Sequence, residues 1–253
     1  MTDWFTTEAI DNDTFVISEY KHWEETHCYL LIGTESALLI DTGLGVSDIK
    51  DVVGRYTSLP VIVATTHVHW DHIGGHGLFD DIAVHAAEVP WLSRFPLSRE
   101  AVIRSLTCRP CAFPDGFDIA RYRVFQGTPR RILRDGQPID LGSRTVTAVH
   151  TPGHSPGHCC FYEADRRYLF SGDLVYRGCL DAFYPSTNPV ECMHSVEKVN
   201  RLAVDRVLPA HHSLDIPVSL ADEIAAAFRS LYNRNALVQG NGIFDFGSFQ
   251  IRI

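Results

Sequence analysis

The sequence holds no run approaching the roughly 20 apolar residues that a membrane-crossing helix requires, and its 253 residues contain no dense block of Lys or Arg. With a formal net charge of -9 at pH 7, the chain lacks the electrostatic footprint of a nucleic-acid binder. The N-terminal stretch MTDWFTTEAIDNDTF has neither the basic nor the apolar region of a secretory signal. Seven cysteines, scattered at 28, 108, 111, 159, 160, 179 and 192, are an odd number and poor material for a disulfide framework. Cys108 and Cys111 form a CxxC pair with no second pair nearby, so free thiols are expected there as well. These absences point to a soluble, cytoplasmic protein that acts on a small molecule. A homodimer is compatible with the sequence.

Internal repeats and low-complexity segments are also missing. Hydrophobic residues make up 45% of the chain, enough for the core of a single domain over residues 1–253. Strands are expected at FVISEY (15–20), HCYLLIG (27–33), SALLIDTG (36–43), LPVIVATTH (59–67) and DIAVHA (81–86), where β-branched and aliphatic residues are bounded by Gly, Asp or Pro. Helical patterns occupy 46–56 and start again at 71. Residues 87–130 are interrupted by Pro90, Pro96, Pro110, Pro114 and Pro129 and read as a variable insert near the active site, with short helices near 86–93 and 98–106. A second strand series follows in RRILRDGQPIDLG, RTVTAVHTPGH, HCCFYEADRRYLFSGD and DRVLPAHH. Asn188 and Pro189 suit the cap and first turn of a helix PVECMHSVEKVNRLA, and SLADEIAAAFRSLYNRNAL forms another near the end. The fold class is α/β, a four-layer αββα sandwich of two mixed sheets with helices outside.

TTHVHWDHIGGHG, residues 65–77, crowds four histidines and an aspartate behind the apolar run LPVIVA. Desolvated together and charged they would repel one another, and a bound cation removes that problem. His67 and His69 lie two apart in extended chain and point the same way, while Asp71 and His72 can open the next helix, so two adjacent metals can be served. Asp41, His154, Asp173 and His211 stand at four further strand ends, where ligands collect in α/β folds. Asp41 suits an outer carboxylate that orients a ligand. His76, His85, His150 and His158 are read as outer or surface residues, and His194 as a packing residue of its helix.

The ordered set LLIDTG, HVHWDH, TPGHSPGH, FSGD and LPAHH resembles the metallo-β-lactamase superfamily of hydrolases, over residues 15 to 215. The resemblance implies one zinc on His67, His69 and His154, a second on Asp71, His72 and His211, and Asp173 bridging them with a hydroxide. Imidazole and carboxylate suit Zn²⁺, and two such ions generate hydroxide near neutral pH; the same ligand types admit iron or manganese. His211 rather than His212 aligns with the family's final histidine. The motifs look similar to the acyl-coenzyme A thioesterase branch, and Tyr176, three residues after Asp173, resembles the tyrosine with which acyl-homoserine lactonases touch the substrate carbonyl.

The expectation is therefore a dinuclear zinc hydrolase of a thioester or ester, attacked by metal-bound hydroxide, with Asp71 orienting the nucleophile and protonating the leaving group. Lactone hydrolysis is the nearest alternative, and an iron-dependent persulfide dioxygenase a more distant one. The aromatic residues of the insert, Trp91, Phe95, Phe113 and Phe117, are candidates for the wall of an acyl pocket.

Overall fold

The structure is a computed structural model and describes residues 4–253. It divides into two compact units: the chain up to Leu133 together with Asp140–Ser143, and Arg134–Ile139 with Arg144–Ile253. The first unit carries a seven-stranded sheet in the order β1 (Thr6–Asp11), β2 (Thr14–Ser18), β3 (His27–Ile32), β4 (Ala37–Ile40), β5 (Val61–Ala64), β6 (Ile82–His85) and β7 (Arg131–Leu133). β1 to β4 pair antiparallel and β4 to β7 parallel. The continuous apolar runs of β4 and β5 are what a parallel centre covered on both faces needs. Helices α1 (Ile49–Gly54), α2 (Val89–Ser93) and α3 (Arg99–Leu106) belong to this unit. Asp48 caps α1 and Ser98 caps α3 through their side-chain oxygens. Ile49, Val52 and Val53 of α1 and Val102 and Leu106 of α3 share a core with Leu30, Leu39 and Val63 of the sheet.

One expectation fails here. Residues 71–78 do not open a helix but run as turns ending in a 3-10 turn, His76–Leu78. Gly74 donates its N–H to the Gly43 carbonyl at 2.9 Å and Gly75 donates to Thr42 Oγ1 at 3.0 Å. Amides that an α-helix would direct to its own preceding turn are instead bonded to the loop after β4.

The second unit contains β8 (Pro138–Asp140), β9 (Thr145–His150), β10 (Cys159–Glu163), β11 (Tyr168–Gly172), β12 (Cys179–Asp181), α4 (Pro189–Val199), β13 (Arg206–Pro209), α5 (Leu220–Asn233), β14 (Ile243–Asp245) and β15 (Gln250–Arg252). They form a five-stranded sheet, β13-β11-β10-β9-β8, and a three-stranded sheet, β12-β15-β14, which adds to the two sheets expected. β11 and β13 pair parallel within the otherwise antiparallel neighbours β9, β10 and β11. Asn188 accepts from the amides of Val190 and Glu191 to cap α4, with Pro189 in its first turn. Met193 and Val196 of α4 and Ile224 and Phe228 of α5 join Leu169, Val207 and Ile251 in one core. No helix of the described residues is long and apolar enough to cross a membrane.

The loops after β4 and β5 touch through backbone. A Cβ added at Gly74 would lie 2.2 Å from the Leu44 carbonyl carbon and oxygen, and one at Gly45 would lie 2.4 Å from the Gly74 carbonyl. Gly74→Ala is expected to lower unfolding free energy by about 3 kcal/mol, whereas Gly54→Ala, with nothing within 4 Å of the added carbon, should be neutral or stabilising. Denaturant titration of the two variants checks the contrast; equal effects would remove the close approach as a constraint.

Candidate metal centre

In the first unit the cluster sits on the loop leaving β5. Asp41, at the end of β4, is buried and accepts from Thr66 N at 2.8 Å, Thr66 Oγ1 at 2.6 Å and His72 Nδ1 at 2.8 Å. Because a carboxylate only accepts, His72 carries a proton on Nδ1, and its other nitrogen, Nε2, stands 3.6 Å from Asp71 Oδ2. Thr66 Oγ1 gives its proton to Asp41, so it accepts from His67 Nδ1 at 3.0 Å, and His67 is left with Nε2 as its outward nitrogen. The His67 ring lies 4.4 Å from that of His69 and 4.2 Å from that of His72. His67 with His69, His67 with His72, and Asp71 with His72 each bring ligand atoms within 4.8 Å. The backbone is held from below as well, since the buried Glu88 accepts from Val68 N at 2.9 Å.

His76 is buried between two hydroxyls, 2.7 Å from Thr42 Oγ1 and 2.8 Å from Thr65 Oγ1. Thr42 in turn donates to the His72 carbonyl and accepts from Gly75 N, so the ring braces the turn that carries His72. Burial first, and the neighbouring His72 second, push the His76 pKa down to about 3. Glu19, also buried, accepts from Trp4 Nε1 at 2.7 Å and Leu44 N at 2.8 Å; burial raises its pKa to about 7 against those hydrogen bonds.

In the second unit Asp173 follows β11. His154 Nε2 lies 3.4 Å from its Oδ2 and His211 Nε2 3.3 Å from its Oδ1. His154 Nδ1 is 3.1 Å from the Asp181 carbonyl, an acceptor, so Nδ1 carries a proton and Nε2 is the nitrogen turned to Asp173. Asp173 N donates to His158 Nε2 at 3.1 Å while His158 Nδ1 faces Thr151 Oγ1 at 2.9 Å. His211 is the one of the two adjacent histidines that belongs to a group able to hold a metal ion. His212 is strained at φ 64 and its ring flanks Tyr176 at 6.0 Å. Tyr176 is buried, its ring 5.7 Å from that of His211, and its hydroxyl donates to the Cys179 carbonyl at 2.6 Å.

Each half thus presents imidazoles beside carboxylates, with Nδ1 of His67, His72 and His154 engaged by the protein and Nε2 left as the donor atom, a set that fits divalent ions taking nitrogen and oxygen ligands. Of the other histidines, His85 accepts from Ala87 N, His150 faces the Pro156 carbonyl, His194 is exposed on α4 rather than packed, and the buried His22 and His27 face the Leu106 carbonyl and Ser18 Oγ. All seven cysteines are free thiols, and burial pushes Cys160 and Cys192 up to about 12, which removes them as thiolate nucleophiles. Asp41 was expected to orient a ligand, and it is hydrogen-bonded to the His72 ring. Glu19, Glu88 and the Thr42–His76–Thr65 bridge were not singled out in the sequence, because nothing in the spacing of a lone Glu or Thr marks it as a partner of a distant loop.

The family model of the metallo-beta-lactamase superfamily matches residues 23–211. The human acyl-coenzyme A thioesterase MBLAC2 is 34% identical over 234 residues, covering 83% of this chain and 81% of that protein. An atrochrysone carboxyl ACP thioesterase of Aspergillus novofumigatus is 31% identical over 157 residues, covering 59% of this chain and 38% of its own. Among solved structures, a metallo-beta-lactamase family protein from Thermus thermophilus superposes with a TM-score of 0.67 at 20% identity, over 89% of this chain and 82% of that one. This likeness shows the fold, which is the one expected from the motifs.

A buried histidine with a depressed pKa makes stability depend on acid. Unfolded, His76 takes up its proton near 6.5, and folded only near 3, so its contribution is complete above pH 6.5 and is lost as pH falls towards 3, by about 5 kcal/mol. In metal-free protein the difference in unfolding free energy between wild type and His76→Gln should therefore shrink across that window. A difference that stays constant with pH would show that the ring is not held neutral.

Proposed function

Because the chain belongs to the metallo-β-lactamase superfamily, whose enzymes are metal-dependent hydrolases, we propose that it is a dinuclear zinc enzyme that hydrolyses the thioester of an acyl-coenzyme A. The observation that carries this reading is the set of imidazoles whose Nδ1 protons are fixed by Asp41, Thr66 and the Asp181 carbonyl, in a chain similar to acyl-coenzyme A thioesterases over most of its length. In this proposal the two units are halves of one catalytic domain. His67, His69 and His154 would hold one ion and Asp71, His72 and His211 the other, with Asp173 as a further carboxylate ligand. Such ions, when bound, supply Lewis acidity that makes hydroxide available near neutral pH and polarises the carbonyl.

The chain's own residues supply the rest. Asp71 orients the nucleophile and carries a proton to the departing thiolate, so that water and thioester give acid and thiol. Tyr176 donates to the developing oxyanion on exchanging its bond to the Cys179 carbonyl for one to substrate. Asp41 and His158 touch no substrate and hold His72 and Asp173 in place. The free thiols suit the reducing cytoplasm in which we place the protein.

Three measurements test this reading. Elemental analysis should find two zinc ions per chain, with chelation abolishing and zinc restoring hydrolysis; one iron with oxygen uptake and no hydrolysis would replace it by a dioxygenase. Asp71→Ala in folded, metal-loaded protein should abolish turnover of acyl-coenzyme A thioesters, which in turn should exceed that of homoserine lactones. Tyr176→Phe should lower kcat by about 10-fold or more with KM little changed if the phenol stabilises the oxyanion; an unchanged kcat would confine the hydroxyl to its bond with Cys179.

A further inference from the structure

Residues 87–130 contain seven arginines, no lysine and four carboxylates, a net of +3 in a chain whose total is -9. The positive charge is therefore local to the insert. Part of this segment walls a cavity of about 630 Å³ in the first unit, whose floor is the backbone of Gly74, Gly75 and Gly77 and whose sides include Phe117, Arg121 and Arg123. The volume is that of a small-ligand site. The glycine floor directly follows the ligand His72, so the cavity borders the catalytic loop without containing it.

From these features we infer that the cavity receives the 3′-phosphoadenosine diphosphate end of coenzyme A, an inference that rests on the thioesterase reading. Arg123 is anchored through Nη1, which donates to the carbonyls of Ala120 at 3.1 Å and Tyr122 at 2.7 Å, leaving its Nε and Nη2 edge for a bidentate phosphate contact. The Arg121 side chain is 90% exposed, and its one partner is Asp118 at 3.4 Å. An exposed pair of that kind is weak, and a doubly charged phosphate displaces it. Phe117 offers a face for the adenine. Three carboxylates also border the cavity, Asp48, Asp115 and Asp118. Two of them are engaged by backbone, since Asp48 accepts from Asp51 N and Asp118 from Ala120 N.

The test compares one acyl group carried on coenzyme A and on pantetheine, which lacks the nucleotide, in wild type and in Arg121→Glu and Arg121→Glu/Arg123→Glu. Arg121→Glu serves as the variant that breaks no backbone bond. Each charge reversal should raise KM for the coenzyme A thioester by about 10-fold, the effect of one lost charge-assisted contact, leaving kcat and the pantetheine thioester unchanged. Calorimetry with adenosine 3′,5′-bisphosphate, which needs no turnover, should detect binding to wild type that the double variant loses. Hydrolysis of both thioesters with equal KM, insensitivity to charge reversal, or an effect confined to thioesters on acyl carrier protein would overturn the site while leaving a thioesterase. Arginine-dependent nucleotide binding without hydrolysis of either thioester would keep the site and remove the thioesterase reading.

Discussion

The hydrogen bonds to Asp41 are the constraint on which the histidine-rich loop of the first unit depends. A bare carboxylate buried in a protein is unfavourable by several kcal/mol unless donors surround it, and Asp41 has three, two from Thr66 and one from His72. Its backbone is in the left-handed region at φ 59, which aspartate tolerates better than most residues. That conformation turns the chain sharply at the end of β4, so the side chain faces the loop after β5. One carboxylate then fixes the Nδ1 protons of two imidazoles, His72 directly and His67 through Thr66. The close backbone contact between Gly45 and Gly74 and the His76 bridge keep the two loops at the spacing this arrangement requires.

The second unit reaches the same result with neutral groups. The Asp181 carbonyl fixes His154, and the His158 ring fixes the backbone of Asp173. Asp181 lies on β12, whose pairing with β15 puts Arg252 across from it, and the Arg252 guanidinium binds the Asp181 carboxylate at 2.8 and 2.9 Å while covering Phe183 at 3.8 Å. The small third sheet therefore does more than close the chain. It anchors the strand whose carbonyl sets the orientation of His154.

Much of this was legible because metal chemistry restricts which residues can appear and where. Imidazoles and carboxylates at strand ends are rare by chance, so His67, His72, His154, Asp173 and His211 stood out before any fold was known. Strands with dense aliphatic content, such as β3 to β6, were equally plain, as were α4 with its Asn-Pro cap and α5. The failures have physical causes. β1 reads TTEAID, too polar to signal a strand, because it is an edge that half faces water. β12, β14 and β15 are three residues each, shorter than any periodicity can register. The helix expected from residue 71 is replaced by turns, since the amide partners that decide the matter, Gly43 and Thr42, lie some thirty positions earlier. Tyr176 was placed near the ligands by its spacing from Asp173, but spacing cannot reveal that its hydroxyl binds Cys179.

The distribution of charge links the two parts of the proposed function. Glu19, Asp41 and Glu88 are all buried around the histidine-rich loop, and the whole chain is acidic, which suits the retention of divalent cations but repels a substrate bearing phosphates. Long-range steering cannot resolve that conflict, because beyond roughly 8 Å at physiological ionic strength the field of the chain is screened. A short-range solution can: the seven arginines of residues 87–130 give that segment a net positive charge that attracts phosphate locally while the chain as a whole stays negative. Arginine suits the task better than lysine, since its planar fork pairs with two phosphate oxygens at once. A nucleotide anchored there would leave its flexible arm to carry the thioester, so anion recognition and bond cleavage would fall to different residues with opposite electrostatic needs.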